Sequence, residues 1–378
     1  MFMDYQVAVI GAGIVGASIA ARLCSAGISV ALIDKDGSAA SGASALSGGL
    51  VRLYDPDPLL MELAAYSIGV MREGIFAGTY ARALRRSGVL YRAAPDQQER
   101  ISQAIEKHAN AQYPMRLISS EEFSSEHFRL SASMERVNLY EPQACVGNVR
   151  LATALLANTV RQDGLLLEHC EVKSIECRSR HQAHVDLGAA TLRCRAVVVA
   201  AGAWSRRLVP ELQLQTRAIP LARVVTATDC SMPIIDSETQ AYAIPLTRHL
   251  VQAGCEFREV GEFPENLGLP DVRNQQNARE RVQHLLGAND SAVLDMLPGF
   301  DSYSVDGRPL VGFCNEQSPI YLATGLCGLG FKLAPGIAQI AFEQLQRHLQ
   351  HQDPDGGWSA LSPDRAMSRS GSRSSMQP

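Results

Sequence analysis

Residues 7–23, VAVIGAGIVGASIAARL, join an apolar run, a glycine turn and a helical pattern, and this unit most constrains the fold. The continuous apolar run is typical of a parallel strand that is covered on both faces. Gly11, Gly13 and Gly16 have the spacing that allows a tight turn, a close approach of pyrophosphate to the backbone, and packing of the helix on the strand. Asp34 ends the next predicted strand, where a carboxylate would accept hydrogen bonds from the ribose of a dinucleotide. The alternative is an incidental strand–helix turn, and the glycines alone do not distinguish NAD from FAD.

Composition excludes several classes of protein. The chain has 378 residues, a net charge of −4 and 46% hydrophobic residues, which is enough to form one large domain or two interleaved ones. The mild acidity argues against nucleic acid as a partner, and no apolar run is long enough to predict a membrane span. The nine cysteines include no C-x-x-C pair, so we expect a reduced, cytoplasmic protein with neither a disulfide framework nor a metal site.

Strand–helix patterns occur at the start, in the middle and near the end of the chain, with β-rich segments between them. We therefore predict an α/β fold in which a nucleotide-binding domain is interleaved with an α+β domain built on a mixed or antiparallel sheet. The predicted segments are 1–80, 148–212 and 305–350 for the first domain, and 81–147 and 213–304 for the second. Residues 351–378 are rich in Ser, Arg, Pro and Gly, and we predict that this tail is disordered.

Residues 37–49, GSAASGASALSGG, are almost all small. Such a run is either a flexible linker or backbone that passes close beneath a cofactor, where larger side chains would collide with it. Together with the glycine turn and Asp34, the run resembles the FAD-binding fingerprint of the glutathione-reductase-like flavoproteins. This resemblance favours the second interpretation.

Three further stretches narrow the resemblance. SGGLVRLY (47–54), VVVAAGAWSRRLV (197–209), and DGRPLVG (306–312) with YLATGLCGLGFKLAPG (321–336) are similar to ordered motifs of the D-amino-acid oxidase superfamily, in its sarcosine oxidase and glycine oxidase branch. The resemblance implies a Rossmann-like FAD-binding domain of the glutathione reductase type and an interleaved substrate-binding domain. It also implies that the helix after CGLGF directs its N-terminus at the flavin ring, where it would stabilise the negative charge of the reduced form.

The resemblance assigns cofactor-binding roles to residues of all four motifs and to Val172 in the predicted strand EVKSI (171–175). The predicted residues are Gly11, Ala12, Gly13, Ile14, Val15, Gly16, Asp34, Lys35, Ser41, Ala43, Ser44, Ser47, Gly48, Gly49, Leu50, Val172, Ala201, Gly202, Trp204, Gly328, Leu329, Gly330, Phe331 and Lys332. Sarcosine oxidases link the flavin through a cysteine in the region between Cys255 and Cys314. This chain has no cysteine there, so we predict that FAD is bound non-covalently.

The same branch suggests five residues for the reaction site. Lys332, in the G-F-K motif, corresponds to a lysine that helps to hold the substrate carboxylate, and Arg52 corresponds to an arginine near the flavin and substrate. For both, the alternative is an ordinary surface side chain. Tyr54 and His249, or Arg248 beside it, are weaker candidates to line the pocket.

The fifth candidate, Gln252, marks a departure from the family. The motif L-K-L-G, whose lysine activates oxygen over the flavin, aligns with LVQAG and places Gln252 at that position. Because a nearby positive charge speeds the reduction of oxygen, we expect slow oxidase activity unless Arg248, His249 or Arg258 replaces the lysine.

A second departure concerns the carboxylate-binding arginine that glycine oxidases carry just before the DG of the C-terminal motif. Here that place holds Asp301 or a neighbour, and no arginine occurs before Arg308. This weakens a simple glycine oxidase assignment.

The expected reaction is oxidation of the C–N bond of an amino acid or N-methyl amino acid, with hydride transfer to flavin N5 and hydrolysis of the resulting imine. The electron acceptor is O2 or another molecule. The alternatives are a dehydrogenase or tailoring oxidase that acts on a larger or carrier-bound amine, and a flavin-bearing subunit that requires a partner.

Overall fold

The computed structural model describes residues 2–127, 135–256, 259–353 and 357–367. The described chain forms two large β-sheets, a small three-stranded sheet and helices that cover one face of the first sheet. Arg258, one of the predicted substitutes for the missing lysine, lies outside the described residues.

The first sheet has eight strands, and its centre is parallel, in the order β9–β2–β1–β12–β20. The hairpin β10–β11 and strand β19 extend it in antiparallel fashion. The strands are β1 (Phe2–Ile10), β2 (Val30–Ile33), β9 (Leu165–Leu167), β10 (Ser174–Ser179), β11 (Gln182–Asp186), β12 (Thr191–Val199), β19 (Leu310–Phe313) and β20 (Ile320–Thr324).

Both faces of this sheet are buried. Along β1, Val7 and Val9 face one core while Ala8 and Ile10 face another, and each of the four side chains is at most 6% exposed. This burial on both faces explains why residues 7–10 of the strand are all apolar.

Helices α1, α3, α7 and α10 pack against one another over the first of these cores. The helices are α1 (Ile14–Cys24), α2 (Gly42–Leu46), α3 (Pro58–Val70), α4 (Gly74–Ala83), α5 (Gln98–His108), α6 (Ser120–Glu126), α7 (Val149–Asp163), α8 (Ser205–Leu208), α9 (Val272–Leu286) and α10 (Gly330–Leu349). None of these described helices is long and apolar enough to cross a membrane.

The second sheet is mixed: β5 and β14 run parallel, and its other pairs are antiparallel. Its strands are β5 (Val89–Ala93), β6 (Arg116–Ile118), β7 (Val137–Glu141), β13 (Leu214–Thr226), β14 (Ile234–Asp236), β15 (Ala241–Thr247), β16 (Leu250–Gly254), β17 (Val260–Gly261) and β18 (Ser291–Ser304). The small sheet joins β3 (Leu50–Val51), β8 (Cys145–Gly147) and β4 (Leu84–Arg86).

The predicted fold class is confirmed: a doubly covered, largely parallel sheet is combined with a second, mixed sheet. Strands of the first sheet come from 1–80, 148–212 and 305–350, and those of the second come from 81–147 and 213–304. The division into FAD-binding and substrate-binding domains along these segments stays a prediction.

One local expectation was wrong. The sequence pattern predicts one helix over 58–80, but the chain turns at Met71–Glu73 and a new helix begins at Gly74, whose φ is +49°. Within the small-residue run 37–49, residues Gly42–Leu46 form α2.

Part of the tail predicted to be disordered is folded. Within 351–378, residues Ser359–Leu361 and Pro363–Ala366 form 3-10 turns, and the Leu361 side chain is fully buried. A bridge between Leu212 and Met367 attaches this segment to the rest of the protein. A few buried apolar side chains therefore hold this segment against the protein, although its composition is mostly polar. Residues 354–356 and 368–378 lie outside the described part of the chain.

Candidate active site

A cavity of about 460 Å³ begins at the carboxyl ends of β1 and β2 and continues between the first and second sheets. One wall is formed by the turn after β1, by residues 41–52, and by the turn leading into α10. The other wall comes from β13, β15, β16 and β18. The edge where parallel strands end is the usual ligand site of such a sheet.

The glycine turn has no room for side chains. Gly11 has a φ of +103°, and a Cβ there would lie 2.5 Å from the carbonyl oxygen of Ala200. A Cβ on Gly16 would lie 1.9 Å from the carbonyl oxygen of Gly11, so this glycine lets α1 pack directly on the turn. These two glycines therefore permit the tight turn and the close packing of α1 that bring the N-terminus of the helix to the cavity.

The N-terminus of α1 suits an anion. Its first flanking residue, Gly13, provides no side-chain cap, and the Ile14 N–H donates to Ser44 Oγ at 3.0 Å. The unpaired N–H groups and dipole of a helix N-terminus favour phosphate groups. Ser44 belongs to the small-residue run 37–49. This run therefore packs against the glycine turn and is not a flexible linker.

Asp34 lies beside the same turn at the end of β2. Its Oδ2 accepts a hydrogen bond from the Ala12 N–H at 2.6 Å, and its Oδ1 accepts one from the Asp36 N–H at 2.8 Å. Burial raises the pKa of Asp34, and these two donors oppose that shift. The carboxylate is held in place at the cavity wall, where it can accept hydrogen bonds from ribose hydroxyls.

All the predicted cofactor residues line the cavity except Ala12 and Gly16. Both of these lie behind the glycine turn: Ala12 orients Asp34, and Gly16 contacts the turn from within α1. The residues therefore fit an extended dinucleotide: small residues lie where the backbone must come close, and a carboxylate lies at the ribose end.

Aromatic and charged groups surround the same end of the cavity. The Lys35 Nζ lies 3.7 Å from the centroid of the Trp204 ring, and the Trp204 Nε1–H donates to Glu265 at 2.9 Å. Val172 lines the wall in the loop between β9 and β10. Cys170 is the single cysteine among the described residues that line the cavity.

Lys332 lines the opposite end but is not a free cation. Its Nζ lies 3.0 Å from Asp55 Oδ2, and the two side chains are only 4% and 9% exposed. Burial lowers the pKa of Lys332, and Asp55 opposes that shift. Sequence reasoning missed Asp55, although it directly follows the SGGLVRLY motif.

Arg52 lines the cavity and carries a buried donor without a partner in the described part of the chain. Its Nη1 is buried and has no hydrogen-bond partner within the described residues, and its guanidinium carbon lies 5.2 Å from the centroid of the Tyr91 ring. A buried charged donor without a partner is costly, so this group is suited to binding a carboxylate ligand.

Tyr54 does not line the cavity, contrary to the prediction. Its side chain is 2% exposed and packs against Tyr91 with ring centroids 4.9 Å apart. Burial raises the pKa of Tyr54 to about 12. The Tyr54 ring belongs instead to the buried core on the helical face of the first sheet.

Glu141, which sequence reasoning also missed, holds this segment in place. Its fully buried carboxylate accepts hydrogen bonds from the Leu53 N–H at 2.7 Å and the Tyr113 O–H at 2.9 Å. It thereby positions the backbone beside Arg52. The sequence contains no local signal for this role, since Glu141 lies far along the chain.

His249 and Arg248 also fail to line the cavity. Both are exposed on the turn between β15 and β16, and Arg248 lies 3.7 Å from Asp229. Gln252, further along β16, does line the cavity, and its Nε2–H donates to the Leu46 carbonyl at 3.3 Å. The hairpin therefore carries the turn residues away from the site and places Gln252 in the wall.

Asp301 contributes a carboxylate to the same end of the cavity as Lys332. Its Oδ2 accepts a hydrogen bond from the Gly328 N–H at 2.6 Å, in the turn just before α10. Its Oδ1 accepts one from the Ser302 N–H at 2.7 Å. Burial raises the pKa of Asp301 to about 6.

Comparisons with known proteins agree with this geometry. The glycine oxidase of Pseudomonas aeruginosa is 26% identical over 358 residues, which cover 89% of this chain and 94% of the relative. A D-amino acid dehydrogenase of Vibrio cholerae is 25% identical over 222 residues, which cover 55% of this chain and 50% of the relative. The solved structure of L-proline dehydrogenase from P. horikoshii superimposes with a TM-score of 0.81 at 19% identity, covering 97% of this chain and 98% of that one, and shows the same fold.

The family model described as DAO, FAD dependent oxidoreductase, matches residues 6–344. This match spans both sheets, the glycine turn and the whole candidate site. The chain therefore belongs to the DAO family of FAD-dependent oxidoreductases.

Proposed function

We propose that this enzyme oxidises the C–N bond of an amino acid or N-substituted amino acid to an imine. Membership in the family and the similarity to a glycine oxidase and a D-amino acid dehydrogenase support this reaction class. The observation that carries the proposal is Arg52, whose buried Nη1 lacks a partner in the described part of the cavity wall.

The glycine turn and α1 would bind the pyrophosphate of FAD, and Asp34 would bind its ribose. The turn before α10 would contact the flavin end. Bound FAD supplies the acceptor for the hydride that leaves the carbon next to nitrogen. We expect the cofactor to be released without proteolysis when the protein is denatured, because we infer non-covalent binding.

Arg52 would hold the carboxylate of the substrate. A guanidinium binds a carboxylate through two hydrogen bonds, and its free Nη1 provides at least one of them. Lys332 would act mainly through Asp55, because their ion pair already compensates its charge. This changes the role that the sequence suggests for Lys332, from a direct ligand to a support for the site.

Apolar side chains from the second sheet would enclose the substrate. Ile219, Leu221 and Ile244 line the cavity opposite the turn before α10. They would exclude water and hold the reacting carbon against the cofactor, which is how a protein contributes to a reaction whose difficult chemistry belongs to the cofactor.

The test is a substrate screen under anaerobic conditions with the flavin-loaded enzyme. Amino acids and N-methyl amino acids are added, and loss of the oxidised flavin absorbance reports the oxidation. Arg52→Met should raise the substrate concentration needed for half-maximal reduction by about 10- to 100-fold, and Arg52→Lys should raise it less.

The matched control is Arg116→Met, since Arg116 is an exposed arginine outside the cavity lining. It should leave the reaction unchanged. If no amino acid or N-methyl amino acid reduces the flavin, the proposed function is wrong.

Gln252 favours a second candidate, in which the same oxidation delivers electrons to an acceptor other than O2. Its amide carries no charge at the position that aligns with the oxygen-activating lysine of the sarcosine oxidase branch, and the alternative cations Arg248 and His249 lie outside the cavity. Rapid reduction by substrate without formation of hydrogen peroxide would support a dehydrogenase, with a larger or carrier-bound amine as the alternative substrate. A stable second protein that co-purifies from the native host would support a partner subunit.

A further inference from the structure

We propose that the cavity selects an amino acid with a positively charged side chain, and that Asp301 is the residue that recognises this charge. The inference rests on the proposed function, because it names the substrate class of the same site. The chemistry required of the side chain is a group that stays cationic throughout the reaction, namely an ammonium or a guanidinium.

The register of β18 directs Asp301 into the cavity. In the antiparallel pair with β13, Gly299 lies opposite Ile219 and Asp301 lies opposite Arg217. Because alternate residues share one face of a strand, Gly299 and Asp301 point the same way. Both line the cavity together with Ile219, as do the other residues of β18 from 300 to 303.

The carboxylate of Asp301 has unused capacity. Each of its oxygens accepts one backbone hydrogen bond, from Ser302 and from Gly328. An ionised carboxylate offers about four acceptor positions, so two remain for a ligand. Among the described residues, no lysine, arginine or histidine lies within ion-pair distance of it.

Arg217 lies opposite Asp301 in the strand pair and could in principle neutralise its charge, but the Arg217 side chain contacts other groups. Its guanidinium carbon lies 4.4 Å from the centroid of the Tyr303 ring, and its Nη2 donates to Gln215 Oε1 at 3.3 Å. Arg217 is also not among the residues that line the cavity. The negative charge of Asp301 is therefore available to a molecule inside the cavity.

The charges at this end of the cavity match a substrate with one anionic and one distal cationic group. Arg52 has a free donor for the α-carboxylate, while the charge of Lys332 is compensated by Asp55. Gly328, which donates to Asp301, lies in the turn before α10, four residues from Lys332, so Asp301 and Lys332 lie at the same end of the cavity. The apolar side chains of Ile219, Leu221 and Ile244 in the cavity wall suit the methylene stem of a lysine- or arginine-like side chain.

The reacting amine is a poor alternative partner for Asp301. Hydride loss from the adjacent carbon needs the nitrogen lone pair, so the reacting amine must be neutral. An ionised carboxylate beside it would instead favour the protonated form. A second, non-reacting cation avoids this conflict.

The experiment compares lysine with norleucine, which has the same number of side-chain carbons but no charge, using both enantiomers of each. Anaerobic flavin reduction by the loaded wild-type enzyme gives a limiting rate and a substrate concentration for half-maximal reduction, and the ratio of the two should be at least about 10-fold higher for lysine than for norleucine. Arginine should also exceed norleucine, and glutamate should be the poorest substrate.

Asp301→Asn tests the residue itself. Asparagine keeps an oxygen to accept the Gly328 N–H but removes the charge, so the turn before α10 should be retained. The ratio of reduction rate to half-saturating concentration should fall about 10- to 100-fold for lysine, mainly because the half-saturating concentration rises. For norleucine the same ratio should change by less than about 3-fold. Asp295→Asn, on the same strand but outside the cavity lining, should alter neither value.

The outcomes separate the two proposals. If norleucine reduces the flavin as well as lysine does, or if Asp301→Asn affects both substrates equally, the inference about Asp301 is overturned and the proposed function stands. If no amino acid reduces the flavin, the proposed function itself fails. The wild-type comparison needs no variant, so it remains decisive even if Asp301→Asn fails to fold.

Discussion

At the scale of single residues, the site contains charges whose neighbours decide what they can do. Lys332 and Arg52 both appear in motifs that predict contact with the substrate carboxylate. Only Arg52 has a buried donor without a partner, because Asp55 binds Lys332. The residue type alone therefore does not identify the ligand for the carboxylate.

The Lys332–Asp55 pair leads to a prediction about stability. Asp55→Ala should lower the free energy of unfolding by about 3–5 kcal/mol, because it leaves a buried ammonium without its partner. The double variant Asp55→Ala/Lys332→Met should recover much of this loss, since it removes the unpaired charge as well. Denaturant titrations of the loaded enzymes measure both effects. Equal destabilisation in the single and double variants would contradict this account.

A second prediction concerns the pH dependence of stability. The pKa of Asp301 is raised from 3.8 to about 6, so between these values the folded protein binds more protons than the unfolded chain does. The contribution of Asp301 to stability is therefore present below pH 4 and is lost as the pH rises to 6. Asp301→Asn removes this dependence. Its stability relative to wild type should rise from pH 4 to pH 6, by on the order of 1 kcal/mol, and then level off.

The neighbours of Asp301 should not obscure that result. Arg217 lies opposite it on β13, Tyr303 lies on the same strand, and Cys327 lies in the turn before α10. Arginine, tyrosine and cysteine side chains ordinarily titrate well above pH 6. A stability difference that stays constant between pH 4 and pH 6 would show that Asp301 does not titrate there.

Gln252 gives a prediction about the electron acceptor. Gln252→Lys should speed reoxidation of the reduced enzyme by O2 by about 10-fold or more, because a positive charge stabilises the negative charge that develops on oxygen. Stopped-flow mixing of anaerobically reduced enzyme with oxygenated buffer measures the rate. Gln252→Met is the control for the loss of the amide and should not speed the reaction.

At the scale of elements, the turn between β1 and α1 depends most strongly on its sequence. Gly11→Ala should lower the flavin content of the purified protein and destabilise it by about 2 kcal/mol or more, because its Cβ would collide with Ala200 and alanine strains a φ of +103°. Gly69→Ala, within α3 and with open space around it, is the control. It should be neutral or stabilising by up to about 1 kcal/mol. Absorbance ratios and thermal unfolding measure the two effects, and full flavin loading of Gly11→Ala would contradict the expected collision.

The elements also show where sequence patterns suffice and where they fail. The turn between β1 and α1 could be predicted because strand, glycines and helix are adjacent in the chain and their spacing is set by local geometry. The sequence could not predict that Gln252 lines the cavity while His249 lies outside it. This difference depends on the register of β15 with β16 and on how this hairpin meets the first sheet. The Lys332–Asp55 pair escaped prediction for the same reason, because its partners lie 277 positions apart.

At the scale of the whole molecule, the C-terminal segment connects the two cores that cover the first sheet. Leu361 belongs to the core on the helical face, and Ala366 belongs to the core on the opposite face. Composition predicted a disordered tail because it averages over many polar residues, whereas a few apolar side chains suffice to dock the segment.

This docking can be tested with Leu361→Ala. The substitution should lower the free energy of unfolding by about 2–5 kcal/mol, because it leaves a cavity in the main core. Ser359→Ala, at an exposed position of the same segment, should have an effect within about 0.5 kcal/mol. Denaturant unfolding distinguishes the two, and equal stability of both variants would contradict a docked tail.

The pairing of β1 with β12, and of β12 with β20, also constrains how the protein can be made. During synthesis the first strand leaves the ribosome long before residues 191–199 exist to pair with it, and the turn before α10 follows later still. The nascent chain must therefore carry apolar strand edges that attract other chains until nearly the whole protein has been translated. Chaperone dependence and late cofactor capture are the expected consequences of a sheet assembled from distant segments.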